Sequence, residues 1–118
     1  MATYSRQLLS GSTNGKPIIV AATATPGTTL HTALAGTTGF DELYVWCSNV
    51  TATAATLTIE FGGVTDPGNH IVKAVSIPAN SPPIPIITGQ VLQNGLVCGA
   101  FSGTASALNC TGFVNRIQ

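Results

Sequence analysis

The chain has 118 residues, of which 44% are hydrophobic and 7% charged, with four basic residues, four acidic residues and a formal net charge of zero. This length fits one domain with one core, and the hydrophobic content excludes a disordered tail. Soluble domains average about 25% charged residues, so the polar surface here must consist mostly of Thr, Ser, Asn and Gln. Such a surface suits contact with other protein, because few charges lose their water when it is covered.

The scarcity of charge also limits the partners. The basic residues Arg6, Lys16, Lys73 and Arg116 are scattered along the chain, whereas nucleic-acid binding needs clustered Lys and Arg. No apolar stretch approaches the roughly 20 residues of a membrane span, and the N-terminus lacks the apolar run of a secretory signal. We therefore expect no nucleic-acid partner, no membrane partner and synthesis in a cytoplasm.

The first segment of the chain is polar. Residues 1–15 end in the turn-forming stretch GSTNG, which predicts an extended N-terminal arm ahead of a single β-sandwich domain over residues 16–118. Ten extended residues span roughly 35 Å, which is enough to touch a neighbouring subunit. Leu8 and Leu9 are the candidate anchors on this arm. A frayed terminus is the alternative interpretation.

Strand signals follow at close spacing. Residues 17–23 and 30–34 predict two short strands rich in β-branched or apolar residues. Residues 41–49 predict a longer strand with large side chains on both faces, one of which carries Tyr44 and Trp46. This strand is expected to bury one face in the core and to have the other covered by a loop or a partner.

The second half of the chain continues in the same way. Residues 56–61 alternate between apolar and polar and are predicted to form a hairpin with the preceding strand. Residues 71–77 predict another strand, and the prolines within 82–85 restrict the next segment to an edge strand or an extended connection. Residues 96–101 and 108–117 predict a terminal hairpin. About seven or eight strands and no helical period predict an all-β fold, an antiparallel sandwich or jelly roll.

A search for catalytic groups identifies no site. Asp41 and Glu42 are adjacent, so on a strand they point to opposite sides and cannot pair as acid and base. His31 and His70 have no metal-ligand spacing with the cysteines, and His31 is expected to be a partly buried, hydrogen-bonded side chain. The sequence has no nucleophile elbow and no phosphate-binding loop. We therefore expect no enzymatic activity, no cofactor and no metal.

The three cysteines, Cys47, Cys98 and Cys110, are widely spaced and contain no Cys-x-x-Cys pair. In a reducing compartment they are expected to be free, buried thiols that pack as small hydrophobic groups. If the protein later meets an oxidising medium, Cys98 and Cys110 are the first candidates for a disulfide, because both lie on the predicted terminal hairpin.

Tyr44 and Trp46 form the best candidate binding site in the sequence. They point the same way on one strand, so two exposed rings there would suit stacking on a carbohydrate. Packing of both rings under a neighbouring loop or subunit is the alternative.

Several segments resemble small phage virion proteins. The pattern consists of an aromatic-rich strand, small Thr and Ala residues and an alternating strand in residues 43–59, LYVWCSNVTATAATLTI. It continues with the turns IPANS at 77–81 and LQNGL at 92–96, and with TGFV at 111–114. The segment SRQLLSGSTNG at 5–15 is similar to the start of short proteins encoded in phage structural gene clusters.

This resemblance implies a capsid decoration (cement) protein, which binds the outside of a phage head as a homo-oligomer and stabilises contacts between capsomers. Its partners would be the major capsid protein and further copies of itself, with a trimer as the favoured state, and its location would be the virion surface. Leu8 and Leu9 would then anchor the arm, Arg6 and Arg116 would make polar contacts, and Tyr44 and Trp46 would face a partner. A tail or fibre module that binds carbohydrate or a receptor is the alternative, and a β-scaffold unrelated to viruses is a third hypothesis.

Overall fold

The structure is a computed structural model that describes residues 2–118. Within these residues the chain forms nine β-strands and no helix, which confirms the predicted all-β fold. The strands are β1 (Tyr4–Leu8), β2 (Ile18–Ile19), β3 (Thr28–Thr32), β4 (Phe40–Asn49), β5 (Ala55–Phe61), β6 (His70–Ile77), β7 (Ser81–Leu92), β8 (Val97–Ser102) and β9 (Leu108–Ile117).

The strands form two antiparallel sheets. The first sheet has the order β1-β9-β4-β7, and β2 continues along the edge of β9 that β1 also occupies. The second sheet has the order β3-β8-β5-β6. This arrangement is compatible with an antiparallel β-sandwich, as expected, whereas a jelly-roll topology is not confirmed.

The core lies between the inner faces of the two sheets. Along β4 the burial alternates strictly, and Leu43, Val45 and Cys47 are fully buried. From the second sheet, Leu57 and Ile59 of β5 are also fully buried. Each such aliphatic side chain contributes roughly 1.5–3 kcal/mol when it leaves water, so the alternating pattern of these two strands supplies much of the driving force for folding.

The predicted hairpin between residues 41–49 and 56–61 is wrong, because β4 and β5 belong to different sheets. The chain crosses between the sheets at a corner that Asn49 organises. Its Nδ2 donates to the carbonyls of Thr53 (2.9 Å) and Ile77 (3.2 Å), and its Oδ1 accepts from the Thr51 amide (2.9 Å). These bonds tie the corner to the second sheet and leave both edges of β4 free to pair with β7 and β9.

The predicted terminal hairpin is wrong for the same reason. β8 pairs within the second sheet and β9 within the first, so Cys98 and Cys110 lie on opposite layers of the sandwich. All three cysteines, including Cys47, are buried and free, as expected. Burial raises the pKa of Cys98 to about 12, so this thiol stays protonated at neutral pH.

The extended N-terminal arm is not confirmed. Residues 4–8 form β1, which pairs with β9 as an edge strand of the first sheet, while Met1 lies outside the described residues. Beyond β1 the chain reaches the second sheet, where the Gly11 amide donates to the Leu30 carbonyl (3.0 Å). A Cβ atom at position 11 would collide with the Thr29 carbonyl. The N-terminal segment therefore packs along both sheets of its own molecule.

The predicted edge position of the proline-rich segment is confirmed. Pro82, Pro83 and Pro85 lie on β7, which pairs only with β4 at the edge of the first sheet. A proline lacks the amide donor that a central strand would need on both sides. The three prolines are therefore compatible with the edge position of β7.

Candidate interaction surface

Three aromatic side chains meet on the outer face of the first sheet. Tyr44 and Trp46 point outward from β4, and Phe113 of β9 lies directly opposite Tyr44 in the ladder. The Tyr44 and Phe113 rings stack with centroids 5.0 Å apart and planes at 20°. The Trp46 ring lies 6.0 Å from Phe113 and is tilted by 33°. Alternation along β4 therefore places the two predicted rings on one face, where both contact Phe113 of the neighbouring strand.

The edge strand β1 adds a cation and an apolar residue to these rings. The guanidinium carbon of Arg6 lies 4.3 Å from the Phe113 ring centroid, which is cation–π geometry. Leu8 pairs with Phe113 across the β1–β9 ladder, so its side chain lies on the same face, and it is 56% exposed. We call Arg6, Leu8, Tyr44, Trp46 and Phe113 the aromatic face.

A short polar network orients the aromatic face. Glu42, the neighbouring outward residue of β4, accepts hydrogen bonds from the Tyr44 hydroxyl (3.1 Å) and from Asn115 Nδ2 (3.2 Å). The hydrogen bond to Glu42 raises the pKa of Tyr44, so the phenol stays neutral and keeps donating. On the neighbouring strand, a Cβ at Gly89 would come within 3.4 Å of the Tyr44 hydroxyl oxygen. The Tyr44 ring therefore fills space that a side chain on β7 would otherwise occupy.

Apolar residues surround the aromatic face. Three exposed side chains share its side of the sheet by their register with β9 or β4, namely Tyr4 (65% exposed), Ile19 (55%) and Val91 (51%). Protein interfaces are enriched in aromatic residues and Arg and are depleted in charge at their centre. The outer face of the first sheet has this composition, with Arg6 and Glu42 as its charged members near the rings.

Two residues expected to contact a partner do not belong to this face. Leu9 is 1% exposed and lies in the core, because the chain turns inward at the end of β1. Arg116 points toward the sandwich interior and binds Asp41. The other residues expected to contact a partner lie on the aromatic face, namely Arg6, Leu8, Tyr44 and Trp46.

The ion pair of Arg116 is part of a buried polar cluster. Asp41 is fully buried and accepts from Arg116 Nε (2.8 Å) and Nη2 (2.9 Å), from His31 Nε2 (2.7 Å) and from the Leu34 amide (3.1 Å). His31 Nδ1 accepts from the Ser10 amide (3.0 Å), which places the imidazole proton on Nε2. Burial alone raises the pKa of Asp41, but the bonds from Arg116 and His31 outweigh it and hold the pKa below its ordinary value.

This cluster, which we call the Asp41 cluster, connects four chain segments. Ser10 follows β1, His31 lies on β3, Asp41 on β4 and Arg116 on β9, so the hydrogen bonds tie the two sheets and the N-terminal segment together. The expected hydrogen bonding of His31 is confirmed, and the side chain, predicted to be partly buried, is fully buried. The opposite directions of Asp41 and Glu42 are also confirmed, since one enters this cluster and the other the aromatic face.

Phe113 lies at the centre of the aromatic face but was not among the predicted binding residues. The signal was present, because Phe113 is out of phase with the buried residues Cys110 and Val114 of β9. The pairing of β9 with both β1 and β4 could not be predicted from the sequence. That pairing brings residues from positions 6, 44 and 113 together.

Within residues 2–118, no group of three or more His, Cys, Asp and Glu side chains is placed to hold a metal ion. The same residues contain no helix that could cross a bilayer. Comparisons with protein-family models, with curated proteins and with solved structures find no match. The likeness to small phage virion proteins therefore stays a prediction from the sequence.

Proposed function

We propose that this chain is a non-enzymatic structural protein that docks through its aromatic face onto other subunits of a larger assembly. We propose further that the assembly is a phage head, on whose surface the chain acts as a decoration protein bound to the major capsid protein. The aromatic face supports this proposal, because it gathers four of the residues expected to contact a partner onto one surface. The virion identity is supported by the sequence resemblance.

The physical basis of docking is the low cost of covering this face. Arg6 is already ordered over Phe113, and Tyr44 is already fixed by Glu42, so binding would immobilise few additional side chains. The exposed Leu8 would contribute apolar area at the rim. A modest contact of this kind is sufficient if many copies bridge neighbouring capsomers, since several linked contacts multiply the affinity.

Copies of the chain would also contact one another. The charge content of 7% leaves few repulsive groups between them, and we favour three copies around a symmetry axis. Sedimentation equilibrium of the purified chain tests this stoichiometry directly. A monomer at all concentrations would contradict self-association.

The copy number of the chain in purified particles tests the virion assignment. Quantitative mass spectrometry would measure it against the most abundant shell protein. We expect a simple ratio to the shell subunit and hundreds of copies per particle. A handful of copies would move the protein to a tail or fibre, and complete absence would overturn the virion proposal.

Matched variants test the docking surface. Arg6→Ala and Leu8→Ser remove exposed groups of the aromatic face, whereas Ile71→Ser changes a comparably exposed residue (44%) on β6 of the second sheet. We expect particle occupancy to fall at least tenfold for the first two variants and to stay unchanged for the third. Equal occupancy of all three would remove the aromatic face from the mechanism.

Carbohydrate or receptor binding by a tail module is the second candidate, because stacked aromatic rings on a sheet surface suit sugar rings. Trp46 is the only tryptophan in the chain, so its fluorescence reports on this face alone. Titration with glycans should shift the emission of the wild-type protein if this candidate is right. Unchanged emission, together with a shift on adding shell protein, would favour docking onto the capsid.

A further inference from the structure

A cavity of about 380 Å³ opens on the second sheet, away from the aromatic face. Its walls come from the loop before β3, the end of β5 with the loop that follows it, and the turn that leads into β8. The walls include Pro26, Gly27, Glu60, Val64, Leu96 and Val97. The volume falls in the range of small-molecule sites, roughly 300–1,000 Å³.

Glycines form much of the cavity wall around Glu60. Glu60 of β5 pairs with Gly99 of β8 across the ladder, so the carboxylate lies over a residue without a side chain. A Cβ atom at Gly99 would be 3.6 Å from Glu60 Oε1. Gly62 follows β5 with φ of +82°, a backbone conformation that residues other than glycine rarely adopt. Of the two glycines, Gly99 lies beside the carboxylate, whereas a Cβ atom at Gly62 would face the side chains of Leu92 (3.3 Å) and Leu96 (3.7 Å).

The carboxylate of Glu60 is buried without a cation. The residue is 2% exposed, and its two oxygens accept from the Gly27 amide (2.6 Å) and the Thr25 hydroxyl (2.5 Å). Among residues 2–118, no Lys, Arg or His forms an ion pair with it. Buried carboxylates are ordinarily paired with a positive group, and an ionised carboxylate has about four acceptor sites. Glu60 thus retains acceptor capacity at the cavity wall.

Three apolar side chains of the wall are in contact with water. Val64 is 52% exposed, Leu96 43% and Val97 41%. An apolar chain placed against these residues would remove area from water at roughly 25 cal/mol per Å². The complementary ligand therefore combines one positive head group with an apolar body.

We propose that this cavity binds a small primary amine, with its ammonium group donating to Glu60 and its alkyl or arylalkyl body packed against Leu96, Val97 and Val64. Each oxygen of the carboxylate already accepts one hydrogen bond, so a compact ammonium fits the remaining sites better than a planar guanidinium that needs both oxygens in parallel. A hard metal ion would need about six oxygen ligands, and Glu60 is the only carboxylate in the wall.

Binding of hexylamine, followed by NMR of the ¹⁵N-labelled chain, tests this proposal. We expect saturable shifts of the Gly27 and Gly99 amides with a dissociation constant in roughly the millimolar range, as is reasonable for a ligand of seven heavy atoms. Hexanoate, which has the opposite charge, and hexanol, which has none, should bind at least tenfold more weakly. Equal binding of hexanol, or no saturable shift with hexylamine, would overturn the proposal.

Variants separate the charge from the apolar wall. Glu60→Gln should weaken hexylamine binding at least tenfold, while Glu42→Gln, which removes the same charge on the first sheet, should leave it unchanged. Leu96→Ala keeps the carboxylate and should weaken binding several-fold through lost contact. If Glu60→Gln fails to fold, the comparison of hexylamine with hexanol in the wild-type chain still decides. Unchanged affinity in a folded Glu60→Gln variant would contradict the role of Glu60.

Discussion

Each of the two sheets carries a buried carboxylate, and the two carboxylates differ in their hydrogen-bond and ion-pair partners. Asp41 is fully buried and is bound by Arg116 and His31. Glu60 is 2% exposed, and within residues 2–118 it accepts only from the uncharged groups of Gly27 and Thr25. Asp41 points between the sheets, whereas Glu60 lines a cavity that opens to solvent.

This difference separates a structural role from a binding role. The charge of Asp41 is balanced within the chain, so its interactions stabilise the fold. No Lys, Arg or His among residues 2–118 forms an ion pair with Glu60, which fits the proposed site for a positive ligand. Substitutions at the two positions should therefore change the free energy of unfolding by different amounts.

The largest effect is expected from Asp41→Asn. The amide keeps the shape of the side chain but leaves the charge of Arg116 without its partner and turns a donor toward His31 or Arg116. Breaking a buried pair costs about 3–5 kcal/mol, and we expect a loss near the lower figure because Arg116 is 23% exposed. Urea unfolding measures this loss. Asp66→Asn is the control, since its pair with Lys73 is solvent-exposed and screened by water, so its loss should be much smaller.

Leu9→Ala should destabilise the segment that the Asp41 cluster holds in place. Leu9 is 1% exposed and directly precedes Ser10, so its removal leaves a cavity under the N-terminal segment. We expect the free energy of unfolding to fall by about 2–3 kcal/mol, no more than for Asp41→Asn. The adjacent Leu8→Ala, at a 56% exposed position, should change it by no more than about 0.5 kcal/mol. Similar losses for both variants would contradict the inward turn after β1.

Acid should weaken the fold partly through Asp41. The pKa of this carboxyl is lower in the folded protein than its ordinary value, so the unfolded chain takes up the proton first as the pH falls. The stabilisation is therefore complete above the ordinary Asp pKa of about 4 and is lost as the pH drops through the folded pKa. Comparing unfolding free energies of wild type and Asp41→Asn from pH 7 to pH 2 isolates this part. Parallel curves would show that Asp41 does not contribute.

The smallest effect is expected from Glu60→Gln. The amide oxygen can still accept from Gly27 and the amide nitrogen can donate to Thr25, and no buried cation loses a partner. We expect the free energy of unfolding to change by less than about 1 kcal/mol, which urea unfolding would measure. A loss as large as that of Asp41→Asn would show that Glu60 is chiefly structural and would remove the contrast between the two carboxylates.

Several features of the fold could be predicted because they depend on neighbours in the chain. The alternation of β4 placed Tyr44 and Trp46 on one face and Asp41 on the other, and the prolines of β7 marked an edge strand. Strand partners could not be predicted in the same way. Both predicted hairpins were wrong, because the short connections at Asn49–Ala55 and Ser102–Leu108 cross between sheets.

In the candidate site, too, local features could be predicted from the sequence and contacts between strands could not. Arg6, Leu8, Tyr44 and Trp46 were identified from residue type and alternation, but Phe113 and the interior position of Leu9 depend on how β1 and β9 pair. The cavity beside Glu60 depends on Gly99 lying opposite it in another strand. No local pattern reports such a pairing.

The sequence by itself determined that this protein is all-β, sparsely charged, rich in edge and turn signals and equipped with an outward aromatic pair. These properties follow from side-chain type and from a period of two residues, which act over a few positions. Only the tertiary structure decided that β1 packs back on β9, that Asp41 meets Arg116 and His31, and that Glu60 borders a cavity. These contacts join positions tens of residues apart, and their energies arise only when the two sheets close on a shared core.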